Sequence, residues 1–266
     1  MRYSNCFITL VVLMGIVSIG CKDKPKPNIV KDKGVGHVAE KKASGLNVTP
    51  IEHASAVLDW DGTIIYIDPV GGKEAFANMK APDLILITDI HGDHFSLETL
   101  QALNTQKAKI LVPQAVADKI PAEFTPQLDI LYNGDLKERF GINIEAIAMY
   151  NLREEAKDFH IKGRGNGYLL SKNNERVYFS GDTEDIPEMR DLENIDKAFV
   201  CMNLPYTMTV ESAADAVLEF KPKQVYPYHY RGKPDVADVA KFKTLVHAKD
   251  SEIEVIQLDW YPKEDY

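Results

Sequence analysis

Four potential metal ligands crowd the six positions Asp89-Ile90-His91-Gly92-Asp93-His94, directly after the apolar run Leu84-Ile85-Leu86-Ile87-Thr88. Side chains two apart at a strand's end project to the same side, so Asp89 and His91 share one direction. The following turn can bring Asp93 and His94 round to a neighbouring point, and imidazole with carboxylate is the donor set that divalent ions use. A solvated Asp-rich turn is the bland alternative, but two of only seven histidines fall here. Asp182 follows Val177-Tyr178-Phe179-Ser180 and suits either a helix cap or a ligand. His229 ends another apolar run and suits either a core histidine or a ligand. The polar loop ahead of Gly167 offers His160, with Asn151 as its competitor.

Such groups need rigid elements to hold them. Ser55 to Trp60 and Thr63 to Asp68 read as strands joined by Asp61-Gly62, a dipeptide suited to a type I′ hairpin. A helix near Lys73 to Met79 follows, then a buried strand from Asp83 to Thr88, a helix from Leu97 to Leu103 and a strand from Lys109 to Val112. Leu128 to Met149 reads as several short strands punctuated by Asn133-Gly134 and Phe140-Gly141. Strands return at Tyr168 to Ser171 and Val177 to Ser180, flanking Asn173-Asn174, and at Lys197 to Met202. A helix from Val210 to Phe220 stops at Pro222, and a helix from Val236 to His247 separates strands at Gln224 to Tyr228 and Ile253 to Leu258. Hairpin-rich blocks alternating with strand and helix pairs predict helices covering packed sheets, an α/β architecture.

The segment from Asp89 to His94 resembles the His-x-His-x-Asp-His motif of the metallo-β-lactamase superfamily, with Asp89 in the first histidine's place. Ser180-Gly181-Asp182-Thr183 resembles that superfamily's Gly-Asp-Thr segment, and Pro227-Tyr228-His229-Tyr230 its terminal strand. His53-Ala54-Ser55, Gly165-Asn166-Gly167-Tyr168 and Met208-Thr209-Val210-Glu211-Ser212-Ala213 are similar to the branch of ascorbate-6-phosphate lactonase and N-acyl phosphatidylethanolamine phospholipase D. The resemblance implies a four-layer αββα sandwich over residues 47–266. It implies two divalent ions: Asp89, His91 and His160 at site one, Asp93, His94 and His229 at site two, Asp182 bridging, with Asp93 and Asp182 as the catalytic carboxylates. Ions roughly 3.5–4 Å apart would share a hydroxide as nucleophile. Zinc or manganese is expected, with iron or magnesium as alternatives, because Asp89 replaces a neutral nitrogen by an anionic oxygen.

Beside these positions, His53, Lys162, Arg164 and Tyr206 are the candidates for binding substrate, and Arg231 flanks His229. The expected reaction is hydrolysis of an ester-like bond, a lactone or a phosphodiester, on a small-molecule or lipid-derived substrate. A non-catalytic or single-metal envelope lipoprotein, using the fold as a binding module, is the alternative that Asp89 keeps open.

Arg2, the apolar run from Phe7 to Ile19 and Gly20-Cys21 form a signal peptide pattern over residues 1–20, similar to the lipobox of bacterial lipoproteins. Cys21 is then the lipidated residue, and the Lys- and Pro-rich residues 21–46 are a flexible tether in the cell envelope, periplasm-facing or surface-exposed. Without residues 1–20, which contribute one basic residue, the remaining 30 basic residues face 40 acidic ones, a surface that repels nucleic acid. Cys201 lies in an apolar stretch and reads as a buried, inert thiol. No oligomeric state follows from the sequence.

Overall fold

The computed structural model describes residues 45–262, so the expected signal peptide, Cys21 and nearly all of the expected tether lie outside the described residues. Three antiparallel strands open the domain: β1 (Leu46–Glu52), β2 (Ser55–Trp60) and β3 (Thr63–Ile67). The turn between β2 and β3 has φ of 50° at Asp61 and 88° at Gly62, the two positive values that a type I′ turn requires. β1 goes beyond the two-strand expectation and begins one residue before the expected domain start, since Leu46 pairs with Trp60. Pro50 and the polar residues Asn47, Thr49 and Glu52 hid it, and its place at the sheet's edge is where such a sequence is tolerated.

The chain then adds α1 (Gly72–Ala75), β4 (Leu84–Leu86), α2 (Leu97–Ala102), β5 (Lys109–Val112), α3 (Gln114–Ala117), a 3-10 turn at Ala122–Gln127 and β6 (Leu128–Ile130). The first sheet keeps sequence order from β1 to β6, with β3 through β6 parallel. Leu84 and Leu86 face the core between the sheets, while Ile85 and Ile87 face the core under the outer helices. A strand buried on both faces reads as an unbroken apolar run, and each such side chain stabilises the fold by about 1.5–3 kcal/mol.

The second sheet holds β7 (Leu136–Arg139), β8 (Ile142–Met149), β9 (Gly165–Lys172), β10 (Glu175–Phe179), β11 (Lys197–Cys201), β12 (Gln224–Tyr228) and β13 (Glu254–Val255), with β10 through β13 parallel. Asn173 and Asn174, with φ of 52° and 62°, make the β9–β10 turn. α4 (Pro187–Arg190), α5 (Val210–Phe220) and α6 (Val239–Lys249) belong to this half, and Val217, Phe220, Phe242 and Val246 join its core. α6 starts three residues later than expected because Asp238 caps it, accepting from Lys241 N at 2.8 Å, while Val236 bridges to Arg231. α1 is shorter than expected and β13 is a two-residue stub. Tyr168 stitches the two sheets together by donating its hydroxyl to Ile87 O at 2.9 Å. The result is the four-layer αββα sandwich.

Candidate metal centre

The chemistry-bearing residues gather where the parallel strands end, the usual place for sites in open α/β sheets. Asp68 closes β3, Thr88 to His94 follow β4, Asp182 follows β10 and His229 follows β12. His53 sits in the β1–β2 turn, and His160 arrives from the connection between β8 and β9. His53, Asp68 and His229 have φ of 56°, 43° and 48°. That left-handed conformation costs a non-glycine residue about 1–3 kcal/mol, and such strain concentrates at functional sites.

His94 is fully buried, and its Nδ1 lies 2.7 Å from Asp68 Oδ2. Thr88 fixes that carboxylate, donating its N–H to Oδ1 at 2.7 Å and its hydroxyl to Oδ2 at 2.6 Å. Asp68 therefore sets the ring's orientation and turns Nε2 inward, the support that carboxylates give to metal-binding histidines. Sequence reasoning missed Asp68, whose only signal was an aspartate ending an apolar strand.

Around His94 Nε2 the donors close in. His229 Nε2 is 3.1 Å away and Asp182 Oδ2 3.4 Å away. His229 Nε2 is itself 3.4 Å from Asp182 Oδ1 and 3.3 Å from Asp93 Oδ2. Ligands at about 2.0–2.1 Å in a tetrahedron stand about 3.3–3.4 Å apart, so His94, His229 and Asp182 are spaced for one divalent ion. Asp182 Oδ1 is buried with no hydrogen-bond partner, which a cation would supply. The field agrees. Burial works against ionised Asp182, but His229, His94 and His160 outweigh it and hold the carboxylate well below its usual range. Burial likewise opposes charge on His94, yet Asp182 and Asp68 raise it well above the ordinary imidazole value, so this point favours positive charge. Asp93 is held low by His229 and His53 against its own burial.

Two further groups stand close enough to share an ion: His53, Asp93 and His229, and Asp89, His91 and His160. Asp89 is fully buried and gripped by Arg164, whose Nε donates to Oδ1 at 3.2 Å and Nη2 to Oδ2 at 3.0 Å. His91 Nδ1 adds a contact of 2.8 Å to Oδ2. His160 Nε2 is 3.9 Å from Asp89 Oδ2 but 3.3 Å from Asp182 Oδ2, and both its ring nitrogens lack hydrogen-bond partners. Asn151 does not compete for the centre with its amide nitrogen, which donates to Ala156 O at 2.8 Å and Tyr206 O at 2.6 Å. Glu184 anchors the same loop, accepting from the N–H groups of Leu152 and Arg153, both at 2.8 Å.

A cavity of about 470 Å³ opens onto these groups, with Phe159, Tyr206, Asn203, Arg231 and Lys233 on its wall beside His53, Asp93 and Asp182. His53 lines this cavity, and it also touches Asp93 at 3.4 Å and packs on His229 with ring centroids 3.7 Å apart. Burial and His229 lower its pKa to about 4, so it is neutral near pH 7. Tyr206 is on the wall, its ring edge-on to Phe159. Two expectations need correction. Lys162 pairs with Glu188 at 2.7 Å and lines a different cavity, because the loop after His160 turns it outward. Arg164 is absent from the wall because Asp89 and Phe159 O hold its guanidinium. Lys233 is the cation that sequence reasoning did not name.

Glycines make close approaches near the centre. A Cβ on Gly181, at φ 61°, would come within 2.6 Å of Met149 Sδ, and one on Gly232 within 1.9 Å of Leu204 O. Cys201 is buried with its thiol pushed up to about 12, chiefly by desolvation, as an inert thiol requires.

A model of the beta-lactamase superfamily domain matches residues 47–229. A UPF0173 metal-dependent hydrolase of Pyrococcus abyssi is 30% identical over 207 residues, 74% of this chain and 90% of the relative. A crystal structure from Parabacteroides distasonis, described as a metal-dependent hydrolase, superposes with TM-score 0.72 at 37% identity, covering 81% of this chain and 94% of that one. A metallo hydrolase of Ignicoccus hospitalis shares the fold at TM-score 0.67 and 23% identity, with 80% and 94% covered. A match over most of the domain, joined to a hydrolase relative spanned almost end to end, makes the chain a member of the metallo-β-lactamase superfamily, in its UPF0173 metal-dependent hydrolase family.

Proposed function

We propose that this hydrolase cleaves an ester-like bond, a lactone or a phosphodiester, in a small anionic substrate. The observation that carries the reading is the donor set of His94, His229 and Asp182, spaced for a cation beside a cavity lined by Asp93, Asp182, Arg231 and Lys233. A divalent ion held there supplies Lewis acidity, lowering the pKa of water toward neutrality and polarising the scissile carbonyl or phosphoryl oxygen.

The chain's own groups do the rest. Asp93, ionised and partly exposed to the cavity, accepts a hydrogen bond from the attacking water and fixes its direction. Asp182 and Asp68 keep the floor of the site anionic and hold His94 in place. Arg231 and Lys233 set the preference for a negatively charged substrate, and Phe159 with Tyr206 gives its apolar part a surface to pack on. The shared hydroxide of a two-ion site is one form of this chemistry; the grip of Arg164 on Asp89 favours the single-ion form.

Turnover of a lactone and phosphodiester panel with zinc or manganese tests the reading. Activity on an anionic member, lost in Asp93→Asn, supports it; no turnover above that variant on any member defeats it. We carry the lipid anchor forward as part of the proposal, and release of a Cys21→Ser variant from the membrane fraction is its check.

A further inference from the structure

We infer that the guanidinium of Arg164 stands in for the first cation of the binuclear arrangement, so that the centre binds a single divalent ion between His94, Asp182 and His229. The inference rests on the metal reading above and narrows it.

The carboxylate of Asp89 is already committed. Its Oδ2 takes Arg164 Nη2 at 3.0 Å and His91 Nδ1 at 2.8 Å, and its Oδ1 takes Arg164 Nε at 3.2 Å. An ionised carboxylate offers about four lone-pair sites, and three are occupied. The 2.8 Å spacing between His91 and Asp89 is that of a hydrogen bond, not that of two ligands sharing a metal. Asp182 gives the contrast: its Oδ2 stands 3.3 Å from His160 Nε2, while its Oδ1 has no hydrogen-bond partner.

Arg164 cannot withdraw by losing its proton, because a guanidinium stays charged throughout the accessible pH range. Nor does its backbone have room to retreat. Arg164 N donates to Ile161 O at 3.1 Å, and the next residue, Gly165, lies so close to the metal loop that a Cβ there would be 2.8 Å from Thr88 O. The guanidinium's second anchor is Phe159 O, and Nη2 also stands 3.4 Å from His91 Nε2. A planar fork fits the two oxygens of Asp89 in a way that a spherical ion would have to undo. His160 leans accordingly, closer to Asp182 than to Asp89.

The test is metal stoichiometry on the full chain, stripped with a chelator and titrated with Zn²⁺ or Mn²⁺ alone. Calorimetry gives the affinities and elemental mass spectrometry the count, for the wild type, Arg164→Gln and Asp89→His. One tight equivalent in the wild type is expected, with a second equivalent at least tenfold tighter in either variant than any second binding in the wild type. Two tight equivalents in the wild type, or fewer ions in Arg164→Gln than in the wild type, overturn the inference while leaving the metal reading intact. No bound ion in the wild type overturns the metal reading itself. Circular dichroism verifies that each variant is folded, and the wild-type count decides the matter should neither variant fold.

Discussion

The two halves of the centre use the same residue types to opposite ends. Around His94 the ring is braced from behind and a carboxylate oxygen is left open: Asp68 and Thr88 lock the imidazole, while Asp182 Oδ1 has no hydrogen-bond partner. Around Asp89 the front itself is filled, since Arg164 and His91 take the oxygens that would face an ion. Carboxylates and imidazoles at the right spacing are thus not enough to define a metal position. What matters is whether a fixed cation of the protein has already answered their charge.

The largest effect expected from breaking the open half is that of Asp182→Asn, which removes the charge facing three histidines. Elemental analysis should find no ion retained and the substrate panel no turnover, whereas His91→Ala should keep its ion. Retention of the ion in Asp182→Asn would dissolve the distinction between the halves. Next comes Asp68→Asn, which keeps the shape but weakens the brace on His94. Metal affinity should fall about 10–100-fold, the usual scale for groups behind a ligand, as read by competition with a chromogenic chelator.

Gly181→Ala acts on the scaffold shared by both halves. The strained φ and the approach to Met149 predict a loss of about 1–3 kcal/mol in chemical denaturation. An unchanged midpoint would show that the β9–β10 end has slack there. The smallest effects separate the cations. Lys233→Ala, on the cavity wall, should raise KM severalfold for an anionic substrate and leave kcat nearly unchanged. Lys162→Ala, paired with Glu188 away from that wall, should change neither. Equal effects from the two would restore Lys162 to the substrate side.

The sequence made the open half legible and the closed half misleading, for reasons of direction. Asp93, His94, Asp182 and His229 each follow an apolar run, where strand geometry fixes which way side chains point. α5 and β12 were readable to the residue, helped by the Thr209 cap, which accepts from Ser212 N at 3.0 Å, and by Pro222. Lys162 and Arg164 lie in a long connection with no periodicity. Nothing in their order reveals that one turns outward and the other onto Asp89. β1 escaped because its apolar alternation is broken by Pro50. The role of Asp68 escaped because a brace contacts its partner across 26 positions of chain.

Anomalous diffraction from crystals of the protein grown with zinc or manganese tests the central claim most directly. One strong peak is expected within bonding distance of His94 Nε2, His229 Nε2 and Asp182. An absent peak there, or a peak lodged among Asp89, His91 and His160 with Arg164 swung aside, would contradict it.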